Sequence, residues 1–419
     1  MMSPCFDEVA SMDFDVLVIG AGLVGASLVC GLESSIRQQG LRLALVETHD
    51  LDSIRERPPS FDARASALSW GTRCIYDELG LWQKLSSEAC AIEQVHVSDR
   101  GHFGVTRLSA RDEGVEALGY VVKNHCLGDA LLERIKEYRQ QGMIQLFSPD
   151  QVESLKPIPG GMEARLSSAS IRASLVVLVD GGRSGLMDQL GIARDVTEYQ
   201  QHGVIANIAL DRPHQGVAYE RFAGKGPMAL LPLKPGSGPS SFQHSLQHRL
   251  PHQSALVWTV PDCEMDEVLS MDDRSFLATL QARFGYRAGR FLAVGKWDHY
   301  PLSMSLAKEQ VRPGLVILGN AAHAIHPVAG QGYNLAIRDT KVLANSIRTS
   351  VDKGVCPGDL LLLLSYQQEQ QKDQWVTSRF CDGLVKLFSK TDAVSVLARN
   401  LGLTAMDRCP PVKSRFARK

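Results

Sequence analysis

Phe14-Asp15-Val16-Leu17-Val18-Ile19-Gly20-Ala21-Gly22-Leu23-Val24-Gly25 is a nearly unbroken apolar run that ends in three spaced glycines. A run of this kind suits a parallel strand buried on both faces, because a half-buried strand would alternate with polar residues. Gly20 permits a tight turn, Gly22 lets the backbone approach a ligand closely, and Gly25 lets the following helix pack against the strand. A helix is expected from Gly22 to about Gln39 and a second strand from Leu41 to Glu47, which together make a βαβ unit. Glu47 falls 47 − 20 = 27 positions after the first glycine. That is near the distance at which an acid meets a ribose hydroxyl of a bound dinucleotide. The uncharged run Val16 to Leu32 is not read as a membrane span, because Gly20, Gly22, Gly25 and Gly31 interrupt it.

The chain has 419 residues, 44% apolar and 22% charged, with a formal net charge of −1. This is an ordinary globular balance, long enough for about two domains. Its bulk charge gives no reason to expect nucleic acid. The nine cysteines are scattered, with no C-x-x-C pair. A reducing, cytoplasmic setting is therefore expected, with neither a disulfide framework nor a metal site. The start, Met1 to Asp13, is acidic and lacks the basic opening of a signal peptide.

Further along, Asp50 to Ser66 reads as a loop, Gly71 to Leu85 as a helix, Ile92 to Val122 as strands and Leu127 to Arg139 as a helix. Leu175 to Val179 reads as a buried strand, and Val196 to Pro301 as a strand-rich second sheet. Pro235 to Ser254 is rich in Gly, Ser, Pro and His. His244, His248 and His252 recur there at a spacing of four, but the composition favours a solvated loop over a metal site. Leu361 to Arg399 reads as helical.

Two later junctions resemble the first. Asp180-Gly181-Gly182-Arg183-Ser184 follows the Leu175 strand and on its own would be a plain turn. Leu315 to Leu318 is a buried strand closed by Gly319-Asn320-Ala321-Ala322-His323. His326-Pro327 and Gly330-Gln331-Gly332-Tyr333-Asn334 then open a helix expected from about Asn334 to Arg348. A strand end, glycine turns and a helix N-terminus at one spot present backbone N–H groups to an anionic or electron-rich ligand. A dehydrogenase with a single nucleotide fold has no use for three such junctions.

Together these segments resemble the three fingerprints of the class A flavoprotein aromatic hydroxylases, and the resemblance runs from about Asp15 to Arg399. Phe61-Asp62-Ala63-Arg64-Ala65 with Ala67-Leu68, Val95 to Gly101 and the Gly319 to Ala322 segment resemble the bacterial ubiquinone-biosynthesis hydroxylases, in particular those acting on 2-polyprenyl-6-methoxyphenol. The resemblance implies an α/β fold: a discontinuous Rossmann-type FAD-binding domain, an inserted strand-rich substrate domain and a C-terminal helical region. The implied division is 14–90, 123–195 and 301–348 for FAD, 91–122 and 196–300 for the substrate sheet, and 349–419 for the helices and a basic tail.

It also implies roles. Gly20, Gly22, Gly25 and Glu47 would hold the ADP half of FAD, and Arg64 the pyrophosphate or ribityl region. Asp180 and Gly181 would lie near the pyrophosphate. Gly319 and Asn320 would meet the ribityl chain. Pro327, Gly330, Gln331, Gly332 and Asn334 would line the flavin ring, where a helix N-terminus favours the negative charge of reduced flavin. NAD(P)H and O2 would be co-substrates, and a C4a-hydroperoxyflavin would transfer oxygen to a polyprenyl phenol. Other ubiquinone-biosynthesis proteins, a second copy of the chain and the inner membrane are expected partners of the same kind. Leu384 to Leu403, with Lys386, Lys390 and Arg399, and the basic Lys413 to Lys419 are the expected membrane-facing piece.

There are two departures from the family. Asn320 stands where the superfamily usually has Asp, and this Asn resembles the methoxyphenol subgroup's own variant. Met187 stands where an Arg is usual, on the nicotinamide side. His323 and His326 are read as packing beside the flavin loop, and no residue is named as a catalytic base. Three rival readings are a hydroxylase of another ring position or a soluble aromatic acid, a flavin oxidase or dehydrogenase, and a non-catalytic FAD-bearing scaffold.

Overall fold

The computed structural model describes residues 13–53, 58–60, 62, 64–224, 226–234, 252–390 and 392–408. The Phe14–Ile19 strand lies inside a mixed eight-stranded sheet. Leu43–Val46 and Ser170–Leu178 run parallel to it on either side, and Ile144–Phe147 and Leu315–Ile317 extend the parallel set. Val16 and Val18 enter one core cluster, whereas Leu17 and Ile19 enter another. Both faces are therefore dry, which explains the missing polar alternation. The Leu23–Gly31, Asn124–Gln140 and Gln331–Asp352 helices cover the first face. A hairpin, Val152–Ile158 with Gly161–Leu166, pairs antiparallel onto Ser170–Leu178.

The second sheet has nine strands. Arg194–Leu210 pairs with Gln253–Pro261 and Asp298–Ala307. Pro227–Leu233, Val217–Phe222, Gln94–Asp99 and Val105–Ser109 follow in that order. One face of this sheet packs Val204, Ile208, Met228, Leu230, Leu256 and Trp258 against the Asp262–Leu269 and Asp273–Phe284 helices. The other face lines a cavity. The sequence reading has no helices between Val196 and Pro301. Yet Met265, Val268, Phe276, Leu280 and Phe284 are buried at helical spacing, and the Asp272 side chain caps the second helix by accepting from Ser275 N at 2.8 Å.

Other boundaries move for local reasons. Ala65–Ser69 is a strand, where the loop was expected to run to Ser66. It pairs with Gly119–Lys123, which also pairs Cys90–Ile92, so the 91–122 stretch is shared between a small third sheet and the large one. The Gly71 to Leu85 helix is two pieces, Trp70–Glu78 and Trp82–Ser86, separated at Gly80 with φ +69°. The Gln331–Asp352 helix begins three residues earlier than Asn334, directly after Gly330 at φ +60°. Gln253 and Ser254 lie in a strand rather than a loop. The rest of the Pro235 to Ser254 expectation apart from His252 lies outside the described residues, as do His244, His248, Lys413 to Lys419 and Met1 to Met12.

The expected Leu361 to Arg399 helix is likewise two, Leu360–Ser389 and Ala393–Arg408. Arg399 is not on a membrane-facing surface. Its guanidinium is buried, and Nε donates to Asp99 Oδ2 at 2.7 Å, with side-chain exposures of 4% and 1%. Asn400 Nδ2 donates to the same oxygen at 3.0 Å, and Asn400 Oδ1 accepts from Gly104 N at 2.7 Å. This cluster ties the last described helix to the edge of the large sheet. Breaking a buried pair leaves a charge without its partner, at about 3–5 kcal/mol. Arg399→Met should lower the unfolding free energy in urea by about that amount, and Asp99→Asn in the same chain should restore part of it.

Candidate functional site

A cavity of about 2150 Å³ lies where the carboxyl ends of the parallel strands meet the inner face of the large sheet. Open α/β sheets bind ligands at such strand ends. The volume exceeds the ~300–1,000 Å³ of a site for one drug-sized ligand, so there is room for a dinucleotide and a second molecule.

At one end, the glycines leave the space the sequence predicts. Gly20 has φ +108°, and a Cβ there would meet Val179 O at 2.8 Å. A Cβ on Gly25 would lie 2.0 Å from Gly20 O, and one on Gly22 would lie 3.0 Å from Ser60 Oγ. The helix that follows has no side-chain cap at Gly22, and Leu23 N donates to Ser60 Oγ at 3.3 Å. Its N-terminus is thus turned to the cavity, where the dipole and orphan N–H groups suit a phosphate. Glu47 is buried at the tip of the second strand. Its Oε2 accepts from Ala21 N at 2.7 Å, and Oε1 accepts from His49 N at 3.1 Å. Thr48 Oγ1 at 3.1 Å and His49 Nδ1 at 2.8 Å also reach Oε1, so the position left for a ribose hydroxyl is the second lone pair of Oε2.

Midway, Asp180 Oδ1 accepts from Gly182 N and Oδ2 from Ser184 N, each at 2.9 Å. Gly181 and Gly182 have φ +74° and +73°, so the segment is an Asx-type turn after a parallel strand, not a hairpin. A Cβ on Gly182 would lie 3.6 Å from Ala321 Cα, and one on Gly319 would lie 3.4 Å from Val24 Cγ1. The three glycine junctions therefore touch one another. Asn320 is exposed and lines the cavity. Arg64 also lines it, with Nε donating to Asp62 Oδ2 at 2.5 Å and its guanidinium 5.9 Å from the Tyr300 ring centre. Phe61 and Ala63 lie outside the described residues. Met187 is 3% exposed in the core beside Leu186 and Ile192, so it presents nothing to the cavity.

At the far end, Pro327, Gly330, Gln331, Gly332 and Asn334 all line the cavity. The Gln331–Asp352 helix has no side-chain cap, so its first N–H groups stay available. The Asn334 side chain holds this loop in place. Its Nδ2 donates to Ala67 O and Gly330 O at 2.9 Å, and its Oδ1 accepts from Ser69 N at 2.9 Å. Both donors are spent, so the side chain clamps the loop to the Ala65–Ser69 strand. These features fit FAD: a cradle without Cβ atoms, two helix N-termini whose first residues line the cavity, and an anchored acid.

The sequence reading quoted Val95 and Val97 within Val95 to Gly101 but gave no role to any residue of the cavity floor. Val95, Val97, Ala218, Phe222, Ala229, Leu231, Ala255, Val257 and Ile205 make it apolar, and Glu220 sits among them. No cavity-lining residue in the large sheet's strands is Lys or Arg. Glu220 is half-buried, and no hydrogen bond or ion pair reaches its carboxylate among the described residues. Burial alone raises its carboxyl to about 7. The signal was present in the Val217–Phe222 strand, where alternation places Glu220 on the face of Ala218 and Phe222.

Residues 13–380 match the FAD binding domain family. The chain is 32% identical over 410 residues to a ubiquinone hydroxylase, UbiL, of Rhodospirillum rubrum, covering 96% of this chain and 88% of that one. It is 25% identical to the human mitochondrial ubiquinone biosynthesis monooxygenase COQ6, covering 96% and 91%. The fold resembles p-nitrophenol 4-monooxygenase PnpA of Pseudomonas putida, with a TM-score of 0.76 at 16% identity over 97% and 96% of the two chains. It also resembles PqsL of P. aeruginosa, with a TM-score of 0.72 at 20% identity over 93% and 99%.

His323 and His326 pack behind the loop. His323 Nε2 lies 2.5 Å from Asp339 Oδ2, which also accepts from Gln374 Nε2 at 2.9 Å. His326 Nδ1 accepts from Val328 N at 3.1 Å, and the ring is 1% exposed against Tyr199. Burial lowers His326 from its ordinary 6.5 to about 4. Folded, it stays neutral down to about pH 4; unfolded, it takes a proton below 6.5. Between those values the unfolded chain binds more protons, so stability falls as pH falls. A shift of this size corresponds to about 3 kcal/mol at the acid end. Unfolding curves for wild type and His326→Gln should therefore converge as pH drops from 6.5 to 4; parallel curves would refute the assignment.

Proposed function

The chain belongs to the class A flavin hydroxylases, on their ubiquinone-biosynthesis branch, and we propose that it hydroxylates 2-polyprenyl-6-methoxyphenol to 2-polyprenyl-6-methoxy-1,4-benzoquinol. It is an FAD-dependent monooxygenase. The observation that carries the substrate reading is the cavity floor, apolar but for Glu220, whose strands turn no Lys or Arg to the cavity among the described residues; of the cations lining that half of the cavity, Lys296 lies on a connection between strands and Arg399 is paired with Asp99. A soluble aromatic acid would need a positioned Arg or Lys to offset the cost of desolvating its carboxylate. A neutral phenol with a hydrocarbon tail needs neither.

Residues 14–90, 123–195 and 301–348 form the FAD-binding part in this reading, 91–122 with 196–300 the substrate sheet, and 349–419 the helical end. Gly20, Gly22, Gly25 and Glu47 hold the ADP half. Arg64, Asp180 and Gly181 serve the pyrophosphate region, and Gly319 and Asn320 the ribityl chain. Pro327 to Gly332 line the ring, with the backbone N–H groups of Gln331 and Gly332 at the helix start turned to it, and Asn334 shapes that loop. Bound there, FAD with NAD(P)H as reductant would activate O2, from which the transferred oxygen atom comes. The protein excludes water and orients the ring. The purified holoprotein, given isotopically labelled O2, NAD(P)H and a short-chain 2-prenyl-6-methoxyphenol, should place one labelled oxygen para to the phenol. Nicotinamide oxidation with no oxygenated ring would sink this reading.

The tail has a route outward. Leu384, Leu387, Phe388, Leu403 and Met406 continue the cavity wall along the last two described helices. On the outer side of the Ala393–Arg408 helix, Val394, Leu397 and Leu401 are 79%, 52% and 53% exposed at i, i+3 and i+7. Among the described residues no helix is long and apolar enough to cross a membrane. This stripe instead suits shallow insertion into a leaflet beside the cavity, at the periphery of the inner membrane. Replacing Val394, Leu397 and Leu401 together by Asp should cut co-flotation with phosphatidylglycerol-containing liposomes several-fold. Unchanged flotation would place the contact elsewhere.

A further inference from the structure

Glu220 is the one acid in an otherwise apolar row across the large sheet. In register, the row reads Val97, Glu220, Ala229, Val257 and Ile205. Each of these side chains lines the cavity. An ionised carboxylate in such a place loses hydration without gaining a partner, a cost that a folded chain bears where a ligand supplies the missing hydrogen bond.

Its position relative to the glycine loop is set through Cys381. The Cys381 thiol, on the Leu360–Ser389 helix, is close enough to feel the Glu220 charge, and Sγ lies 3.7 Å from Val328 O. Val328 belongs to the turn that opens the Gln331–Asp352 helix. Phe222, two residues along the strand from Glu220, packs with Val328 and stacks on Phe388 at 3.3 Å between ring centres. The acid therefore sits on the floor beside the loop assigned to the flavin ring.

The neighbouring ionisable groups do not complete it. Cys381 is pushed up to about 12 and is uncharged. Tyr219 and Arg221, one residue to either side, serve the opposite face, where Tyr219 meets Phe284 and Arg221 Nη1 donates to Ser98 Oγ at 3.1 Å. On the flanking Gln94–Asp99 strand, His96 is engaged by Arg287 and Asp99 by Arg399. Pro227–Leu233, on the other flank, carries no ionisable side chain. On the same helix as Cys381, Asp382 is engaged by Tyr199 and Lys386.

We propose that Glu220 is the catalytic residue that binds the substrate's phenol hydroxyl and takes its proton. The proposal rests on the phenol-hydroxylase reading above and names the base that the sequence left unnamed. The phenol O–H bond breaks and a carboxylic O–H bond forms, with the bonding pair left on the phenol oxygen. That pair raises electron density at the para carbon, which forms a C–O bond to one oxygen atom derived from O2 as the O–O bond breaks; the other atom leaves as water, the two electrons for this coming from NAD(P)H by way of FAD. The para carbon then releases its hydrogen as a proton, and the phenol oxygen recovers a proton from Glu220. The ring regains aromaticity and the carboxylate is restored. A raised carboxyl near 7 is a good match for a base working at neutral pH.

The test uses FAD-loaded wild type, Glu220→Gln, Glu220→Asp and Glu220→Ala, each checked for flavin content and unfolding midpoint. The probes are a short-chain 2-prenyl-6-methoxyphenol and its methyl ether. The ionised carboxylate is the active form, so wild-type hydroxylation should rise with pH through a midpoint near 7 and fall about tenfold per unit below it. Glu220→Gln should lose at least about a hundredfold in hydroxylation rate together with that acid limb, and Glu220→Asp should keep part of both. In binding to the oxidised holoprotein, wild type should prefer the phenol to the ether by about tenfold or more, and Glu220→Ala should bind both alike. Full hydroxylation with an unchanged acid limb in Glu220→Gln, or an undiminished phenol preference in Glu220→Ala, overturns the proposal. A Glu220-dependent phenol preference without any oxygenated product would overturn the hydroxylase reading instead and leave Glu220 as a phenol-binding group.

Discussion

Gly25 packs so close to the Gly20 carbonyl that a single Cβ would intrude to 2.0 Å, and the rest of the site depends on that approach. It lays the first helix against the first strand and aims the helix N-terminus at the strand's carboxyl end. Val179, at the end of the neighbouring parallel strand, closes the same contact from the other side. Because Gly182 then abuts Ala321 and Gly319 abuts Val24, the three turns form one continuous rim. A larger side chain at any of these points would push a strand end away from the cavity.

The large sheet answers this rim with a floor of opposite character. The nucleotide side offers oriented N–H groups and an anchored acid, both polar and fixed by backbone. The floor is apolar and packed from behind by the Asp262–Leu269 and Asp273–Phe284 helices. That division suits a reaction in which the cofactor carries the hard chemistry while the protein holds a greasy ring and keeps water out. The last described helix joins both halves. Its inner side, pinned by Asp99 and Arg399, closes the cavity, and its outer side is left apolar.

Some of this was legible before any coordinates. The Phe14 to Ile19 run, the glycine spacing and Glu47 pointed to a nucleotide fold because each follows from local chemistry: burial on both faces, absent Cβ atoms, and one acid at a strand end. Asp180-Gly181 and Gly319 to Asn334 were legible for the same reason. Asn334 was read as lining the flavin ring, and it does line the cavity; that its amide also clamps Ala67, 267 residues away, and Gly330, four away, was not legible in the sequence. Arg399 was read as a surface charge, since nothing in its neighbours announces Asp99 three hundred positions earlier. The two helices between Val196 and Pro301 were hidden because the strand alternation around them dominated the reading.

The sequence by itself determined where the backbone must turn, which strands are dry on both faces and which class of cofactor those turns suit, since these are properties of short segments. Only the tertiary structure decided what faces the cofactor across the cavity. Glu220 became an isolated acid, and Arg399 an internal anchor, through strand register and helix docking between residues far apart in the chain. The physical reason is that burial and partner geometry are set by long-range packing, while turn and strand preferences are set by the residues themselves.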